Sequence, residues 1–255
     1  MKIVVAGGTG LIGRRLVQTL RSDRHDVLLL TRSSREGAPE VHDSPVVLWD
    51  PPSGGAWELE VRQADAVVNL AGASVGGGRW SRRRKELIRL SRVHTTRALV
   101  GAMAASRQPN RVLLSVSAVG YYGHVPEGEV TEDHPPGADF LADVCREWEA
   151  AAREAGASGI RVVVPRIGFV LAPEAPAFRK MLLPFQLSAG GWFGDGRQWF
   201  PWVHIDDVVG ALRSVLNREN RSGPFNVTAP GIVRMRKFCK ILASVLNRPC
   251  WAPVP

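Results

Sequence analysis

The chain has 255 residues, 45% of them hydrophobic and 22% charged, an ordinary globular composition at a length that buries a core without disulfide or metal staples. Its three cysteines, Cys145, Cys239 and Cys250, form no CxxC pair and no metal-ligand spacing, so they read as buried or idle thiols in a reducing compartment. The net charge of +9 carries no nucleic-acid-binding motif, even around the basic run from Arg79 to Lys85, and reads as a field that draws phosphorylated cofactors and acidic substrates.

At the N-terminus, the apolar run Ile3-Val4-Val5-Ala6 is interrupted at once by Gly7, unlike a secretory signal. No run of 18 apolar residues follows, so a cytoplasmic protein without a membrane span is expected. Predicted strands at 2–6, 27–31, 46–49, 66–70, 111–116 and 160–165 alternate with predicted helices at 11–22, 81–105 and 142–156. This rhythm predicts an α/β fold with a doubly wound parallel sheet of Rossmann type. The Pro/Gly-rich stretches 37–56 and 123–138 read as loops at the sheet edge. Past about residue 167 the rhythm loosens. Residues 176–202 mix Phe, Trp, Gly and Pro and read as a substrate-side lobe, followed by helices at 203–217 and 234–246 with a short strand at 225–228. The expected division is a dinucleotide-binding core over 1–166, then a mixed region over 167–255 that adds late core elements and a small C-terminal substrate lobe.

The first strand runs into Gly7-Gly8-Thr9-Gly10-Leu11-Ile12-Gly13, a Gly-x-x-Gly-x-x-Gly spacing that opens a helix. Gly7 permits the tight turn, Gly10 lets the backbone approach a pyrophosphate, and Gly13 lets the helix pack closely on the strand. Leu11 and Ile12 begin the helix, whose free N–H groups suit phosphate. The second strand ends Thr31-Arg32-Ser33, where an NAD site usually places a carboxylate on the ribose 2′-hydroxyl. Arg32 instead suits a 2′-phosphate, helped by the hydroxyl of Thr31 or Ser33, which points to NADP(H) over NAD(H). The fourth strand ends Asn69-Leu70-Ala71-Gly72. Its small residues let a cofactor pass close to the backbone, and Asn69 is placed to hold that crevice by hydrogen bonds.

Further segments narrow the reading: Ser117-Ala118-Val119-Gly120-Tyr121-Tyr122-Gly123, Asp139-Phe140-Leu141 leading to Trp148-Glu149, Met181-Leu182-Leu183-Pro184-Phe185, Gly196 through Asp207, and Asn226-Val227-Thr228-Ala229-Pro230. With the glycine turn, they resemble the extended short-chain dehydrogenase/reductases. Among these they resemble the atypical NAD-dependent epimerase/dehydratase family of bacterial sugar-nucleotide-epimerase and cell-division-inhibitor homologues, with vertebrate and plastid relatives. That resemblance implies an NADP(H)-binding Rossmann fold. It places cofactor contacts on Thr31, Arg32, Leu70, Ala71, Arg92 and Val170 besides the glycine loop. It also implies that relatives continue beyond Pro255 with a last helix, so that a C-terminally truncated chain is expected.

Extended members use Ser/Thr with a Tyr-x-x-x-Lys pair, the lysine lowering the tyrosine pKa. Here the only tyrosines are Tyr121 and Tyr122, with Val125 and Pro126 four residues on. Aligning on Glu149 puts Leu141 and Cys145 in the tyrosine and lysine places. Three catalytic candidates remain. Ser117 either orients a carbonyl or makes a strand-end hydrogen bond. Tyr121 and Tyr122 either donate a proton or pack beneath a nicotinamide, with Tyr122 the favoured donor if Arg166 or the cofactor ring lowers its pKa. Arg166, Arg197 and Gln198 are the substrate-side polar residues, set near the aromatics Trp192, Phe193, Trp199, Phe200 and Trp202, which either stack on substrate or form the lobe's core. His204 reads as a packed strand-end residue and Asp206 or Asp207 as a helix cap. No metal site is expected.

Of three functions, the favoured one is an NADP(H)-dependent oxidoreductase acting on a small carbonyl or alcohol with a nonstandard proton donor. The second is a nonenzymatic NADP(H)-binding regulatory protein, favoured by the missing Tyr-x-x-x-Lys pair. The third is a nucleotide-sugar epimerase, against which Arg32 and Leu141 argue. The expected partner is a small molecule, with no nucleic acid and no membrane. The sequence leaves the oligomeric state open.

Overall fold

The structure is a computed structural model that describes residues 1–32, 44–109, 111–218 and 220–254. Its centre is a parallel sheet of eight strands: β1 (Lys2–Ala6), β2 (Asp26–Thr31), β3 (Val46–Leu48), β4 (Ala66–Asn69), β5 (Val112–Ser115), β6 (Ser117–Ala118), β7 (Arg161–Ile167) and, late in the chain, β12 (Gly223–Val227). The order is β12-β7-β5-β4-β1-β2-β3, with the short β6 also paired to β7. β1 lies between β2 and β4, so the winding reverses there, and a crevice opens at the strands' carboxyl ends where such sheets bind ligands.

Alternating side chains of each strand bury on opposite faces, which is why the strands read as continuous apolar runs. Ile3, Val5, Leu29, Val68 and Leu114 share one core with α1 (Leu11–Ser22) and α6 (Ile205–Leu216). Val4, Leu28, Leu30, Val67 and Leu113 share the other with α2 (Ala56–Gln63) and α3 (Arg82–Ala104). Between them in sequence, α4 (Phe140–Arg153) packs along α3.

The remaining elements form the smaller lobe: β8 (Phe169–Leu171), α5 (Pro176–Gln186), β9 (Gly190–Phe193), β10 (Trp199–Phe200), β11 (Trp202–His204), β13 (Val233–Arg234), α7 (Met235–Val245) and β14 (Cys250–Val254). Its strands pair in twos, β8 with β11, β10 with β13 and β9 with β14. The chain leaves the main sheet after β7 and returns to it through α6 and β12, so the lobe is built from two separated segments.

Several sequence expectations change here. α2 falls where no helix was expected, because only Trp57 and Val61 of its eight residues are buried and the apolar period is short. The stretch 176–202 contains a regular helix despite Pro184, plus two strands of four and two residues. The helix predicted from residue 203 starts at Ile205, and its N-cap is His204, whose Nδ1 accepts the Asp206 N–H at 3.3 Å. His204 is therefore an exposed cap and not a packed residue, and Asp206 and Asp207 occupy the first helical turn, where carboxylates complement the helix dipole. The aromatics divide: Trp192 and Phe200 join the lobe's core, while Phe193 and Trp199 are exposed. Among the described residues, no helix is long and apolar enough to cross a membrane and no cluster of three metal-ligating side chains occurs.

Candidate dinucleotide and substrate site

The glycine turn sits at the carboxyl end of β1. Gly10 donates its N–H to the Gly7 carbonyl at 3.1 Å, closing the loop. Gly7 has φ +83°, and a Cβ there would lie 2.7 Å from the carbonyl carbon of Leu70. At Gly13 a Cβ would overlap the Gly7 carbonyl oxygen and lie 2.7 Å from the Gly8 Cα, so the helix meets the turn as closely as backbone allows. Gly10 caps α1 with no side-chain hydrogen bond, and the first turn carries no acidic residue. The amides around Leu11 and Ile12 thus keep the positive end of the helix dipole for an anion.

The neighbouring strand ends complete the crevice. The Leu70 N–H donates to the Ala6 carbonyl at 2.8 Å, and the Ala71 N–H to Asn69 Oδ1 at 3.2 Å. Asn69 is fully buried and also donates to Thr96 Oγ1 at 2.8 Å, so it pins the tip of β4 to α3. Arg92 of α3 is half-buried under the same turn. It donates to the carbonyls of Ala73 at 3.0 Å and Ile88 at 2.9 Å, and its guanidinium lies over Trp148. Burial pulls this guanidinium below its ordinary pKa. Val170 pairs in register with Val203 and packs against the core that includes Ile12. Arg32 follows β2 directly and is exposed, with no hydrogen bond or ion pair to another described residue, while Thr31 lies half-buried before it. Ser33 lies outside the described residues.

Beyond β5 the chain forms a buried polar network. The Ser117 hydroxyl donates to Glu149 Oε1 at 2.7 Å. Arg166 donates to the same carboxylate through Nε and Nη2, both at 2.9 Å, and through Nη1 to Tyr122 Oη and to the Glu132 carbonyl, again at 2.9 Å. Tyr122 in turn donates to Asn226 Oδ1 at 2.7 Å. Ser117, Glu149 and Arg166 are 3% exposed or less, so this is a desolvated ion pair with its donors and acceptors matched. Burial alone would pull Arg166 down, but its bonds to Glu149 and Tyr122 outweigh that and hold it above its ordinary value.

That network bears directly on the three catalytic candidates. Burial pushes the Tyr122 phenol up, and the Arg166 hydrogen bond offsets only part of the rise. The expected lowering by Arg166 is thereby reversed, because taking a phenolate out of water costs more than one shared guanidinium returns. Arg166 itself faces Glu149, Tyr122 and Glu132 and stacks 3.6 Å over the Tyr121 ring. Tyr121 is half-buried, and its hydroxyl has no hydrogen-bond partner among the described residues. Leu141 stands 3.6 Å from where a Gly120 Cβ would be, and Cys145 is a buried thiol that burial pushes up. Leu141 carries no hydroxyl to stand for the tyrosine, and the Cys145 thiol carries no positive charge to stand for the lysine. Two cavities lie nearby, sharing His124 and Gln198 in their linings. One, of about 560 Å³, is lined by Tyr122, Asn226, Trp199 and Pro230. Gln198 borders both cavities, and Arg197 lines the second. The Tyr122 acceptor Asn226 lies 104 residues away and the Arg166 acceptor Glu132 34 residues away, and no local spacing signalled them.

A doubly wound sheet with a glycine turn at its switch point, joined to a small lobe split between two chain segments, defines the extended short-chain dehydrogenase/reductase class. The chain matches the NAD-dependent epimerase/dehydratase family over residues 3–228, and it belongs to that family. It is 42% identical over its whole length to the Arabidopsis thaliana "Epimerase family protein SDR39U1 homolog, chloroplastic", covering 74% of that protein. It is 38% identical to the Bacillus subtilis "Epimerase family protein YfhF", covering 83% of it. Among solved structures it is similar to human epimerase family protein SDR39U1 (isoform 2) with NADPH, at 35% identity and TM-score 0.87 over 100% of this chain and 83% of that one. Structures of UDP-glucuronic acid 4-epimerase from Bacillus cereus share the fold at 19% identity and TM-score 0.83, with 99% of this chain and 85% of that one covered.

Proposed function

We propose that this chain binds NADP(H) and acts as an NADP(H)-dependent oxidoreductase on a small carbonyl or alcohol. The carrying observation is the pairing of the glycine turn, at the mouth of the switch-point crevice, with an exposed guanidinium one residue beyond β2 that has no hydrogen bond or ion pair among the described residues, and no carboxylate in Thr31-Arg32-Ser33. The NADPH-containing human relative supports the same cofactor. The bound nicotinamide supplies hydride chemistry. The chain's own residues hold the pyrophosphate, read the 2′-phosphate through Arg32 and fix the floor of the crevice through Asn69 and Arg92.

The proton step does not run through a Ser-Tyr-Lys set. Ser117 already donates to Glu149, and Tyr122 to Asn226, so neither hydroxyl offers a free proton. Tyr121 is the phenol that keeps an uncommitted hydroxyl, and it is the residue we assign to proton transfer. A second reading, a nonenzymatic NADP(H)-binding regulator, is favoured by the same commitment of Ser117 and Tyr122.

One experiment separates the readings. NADPH and NADH are titrated by nucleotide fluorescence into the wild type and Arg32→Glu, and turnover is measured over a panel of carbonyls and alcohols. The charge reversal should weaken NADPH by about 100-fold, roughly 3 kcal/mol, while leaving NADH nearly unchanged. Equal wild-type affinity for both nucleotides removes the cofactor assignment. Tight NADPH binding with no turnover on any substrate favours the regulator. Where turnover is found, Tyr121→Phe should reduce kcat at least about 100-fold, within the range of a lost general acid.

A further inference from the structure

We infer that Arg14 is a second reader of the ribose 2′-phosphate, closing on it from the glycine turn while Arg32 closes on it from the tip of β2. The inference rests on the NADP(H) reading above and adds to it a specificity-determining residue. A phosphomonoester carries about 1.5 to 2 negative charges near neutrality, more than one guanidinium balances. Arg32 alone would leave part of that charge uncompensated, and Arg14 supplies the second cation.

Helix geometry sets Arg14 on the β2 side of α1. Gly13, Leu16, Val17 and Leu20 are the buried residues of this helix and face the sheet. Ile12 packs against the cluster of Ala172, Ala175 and Ile205, and Arg15 reaches Glu174 at 3.0 Å, so that flank of α1 meets α6 and the smaller lobe. Successive helical residues lie about 100° apart, which puts Arg14 about 160° around the axis from Ile12. The flank opposite Ile12 overlooks β2, the neighbour of β1 away from β4 and the later strands. The glycine turn leans the same way: a Cβ on Gly8 would lie 2.6 Å from the Leu29 side chain. β1 and β2 run parallel with Ala6 opposite Leu30, and two further residues bring Gly8 level with Arg32 on chains spaced about 4.8 Å apart.

The Arg14 side chain is held at this tip. Its Nε donates to the carbonyl of Thr9, the residue after Gly8, at 2.9 Å. A guanidinium has five N–H donors, so four remain on the two Nη groups. Arg14 is exposed and makes no ion pair and no further side-chain hydrogen bond to a described residue. Arg15, one position on, is by contrast paired with Glu174. Among the described residues no carboxylate claims Arg14 or Arg32. The first turn of α1 carries none, and Asp50, just past β3, accepts the Ser53 hydroxyl at 2.6 Å and pairs with neither arginine. Two cations without counter-ions at one tip of the sheet are relieved by an anion between them. Anchoring Nε on a backbone carbonyl also reduces the side-chain freedom lost when the Nη fork closes on phosphate oxygens.

NADP⁺ and NAD⁺ differ by the 2′-phosphate alone, so the pair isolates this contact from hydride chemistry. Both are titrated calorimetrically, at one ionic strength, into the full chain as wild type, Arg14→Gln, Arg32→Gln and the double variant. The wild type should prefer NADP⁺. Arg14→Gln, at an exposed helix position, should weaken NADP⁺ by about tenfold, the loss of one charge-assisted contact, and leave NAD⁺ unchanged. Arg32→Gln should keep part of the preference, and the double variant should bind the two nucleotides alike. Wild-type NADP⁺ affinity in Arg14→Gln overturns the inference. An equal loss for both nucleotides also overturns it, because Arg14 would then act only on the shape of the turn through Thr9. A wild type that does not distinguish NADP⁺ from NAD⁺ overturns the NADP(H) reading and this inference with it. An undiminished preference in Arg14→Gln overturns the role of Arg14 and leaves that reading standing.

Discussion

At Gly13 there is no room for a methyl group: its Cβ would occupy the place of the Gly7 carbonyl oxygen, in a turn whose backbone is already fixed by the Gly10-to-Gly7 hydrogen bond. Gly13→Ala must push α1 off β1. We expect a stability loss of about 1–3 kcal/mol by overpacking, measured by urea unfolding, together with loss of NADPH binding because the helix amides move away from the crevice. Cys239 offers a pH-dependent test at the same scale. It is buried in the lobe's core beside Met235, and burial pushes its thiol up to about 11. The unfolded chain ionises this thiol near its ordinary value of 9.0, so between pH 9 and 11 the unfolded state holds fewer protons than the folded one. Stability should therefore fall as pH rises through that window, by about 1–2 kcal/mol. Cys239→Ala should flatten this part of the stability–pH curve. An unchanged slope would show that other groups set it.

Between elements, the Arg166–Glu149 pair ties β7 to α4, and through Tyr122 and Asn226 it ties both to the turn after β6 and to β12. Removing one partner leaves a buried charge without its counter-ion. Glu149→Leu should cost about 3–5 kcal/mol in chemical denaturation, whereas Glu149→Leu combined with Arg166→Met should cost clearly less than the sum of the two single changes. Additive losses would mean that the two side chains act independently. The same network engages the hydroxyls of Ser117 and Tyr122, both catalytic candidates from the sequence, with acceptors inside the protein. Their positions after β5 and β6 match those of reacting hydroxyls, but the acceptors that claim them come from α4 and β12, 32 and 104 residues away.

For the molecule as a whole, the crevice lies where the two windings of the sheet meet, so a ligand there touches both halves and stabilises the folded chain by linkage. NADPH at 100 times its dissociation constant adds about 2.7 kcal/mol, which for a chain of this size raises Tm by about 5–10 °C in a thermal scan. NADH at the same concentration should raise it less, because it lacks the 2′-phosphate that we assign to Arg32. A shift equal for both nucleotides would remove the role of Arg32.

The sheet, its two-sided core and the glycine turn were legible from residue order, because a doubly buried strand must be apolar throughout and a backbone-tight turn must be glycine, and both demands are local. The close backbone approach at the β4 tip was legible for the same reason. α2, α5 and the two-residue strands were not, since a short element with only two buried side chains leaves almost no period to detect. The commitment of Ser117, Tyr122 and Arg166 to one network and the cap supplied by His204 depend on which segments folding brings together. Hydrogen bonding and charge act over a few ångströms of space, and those ångströms are set by topology and not by neighbours along the chain.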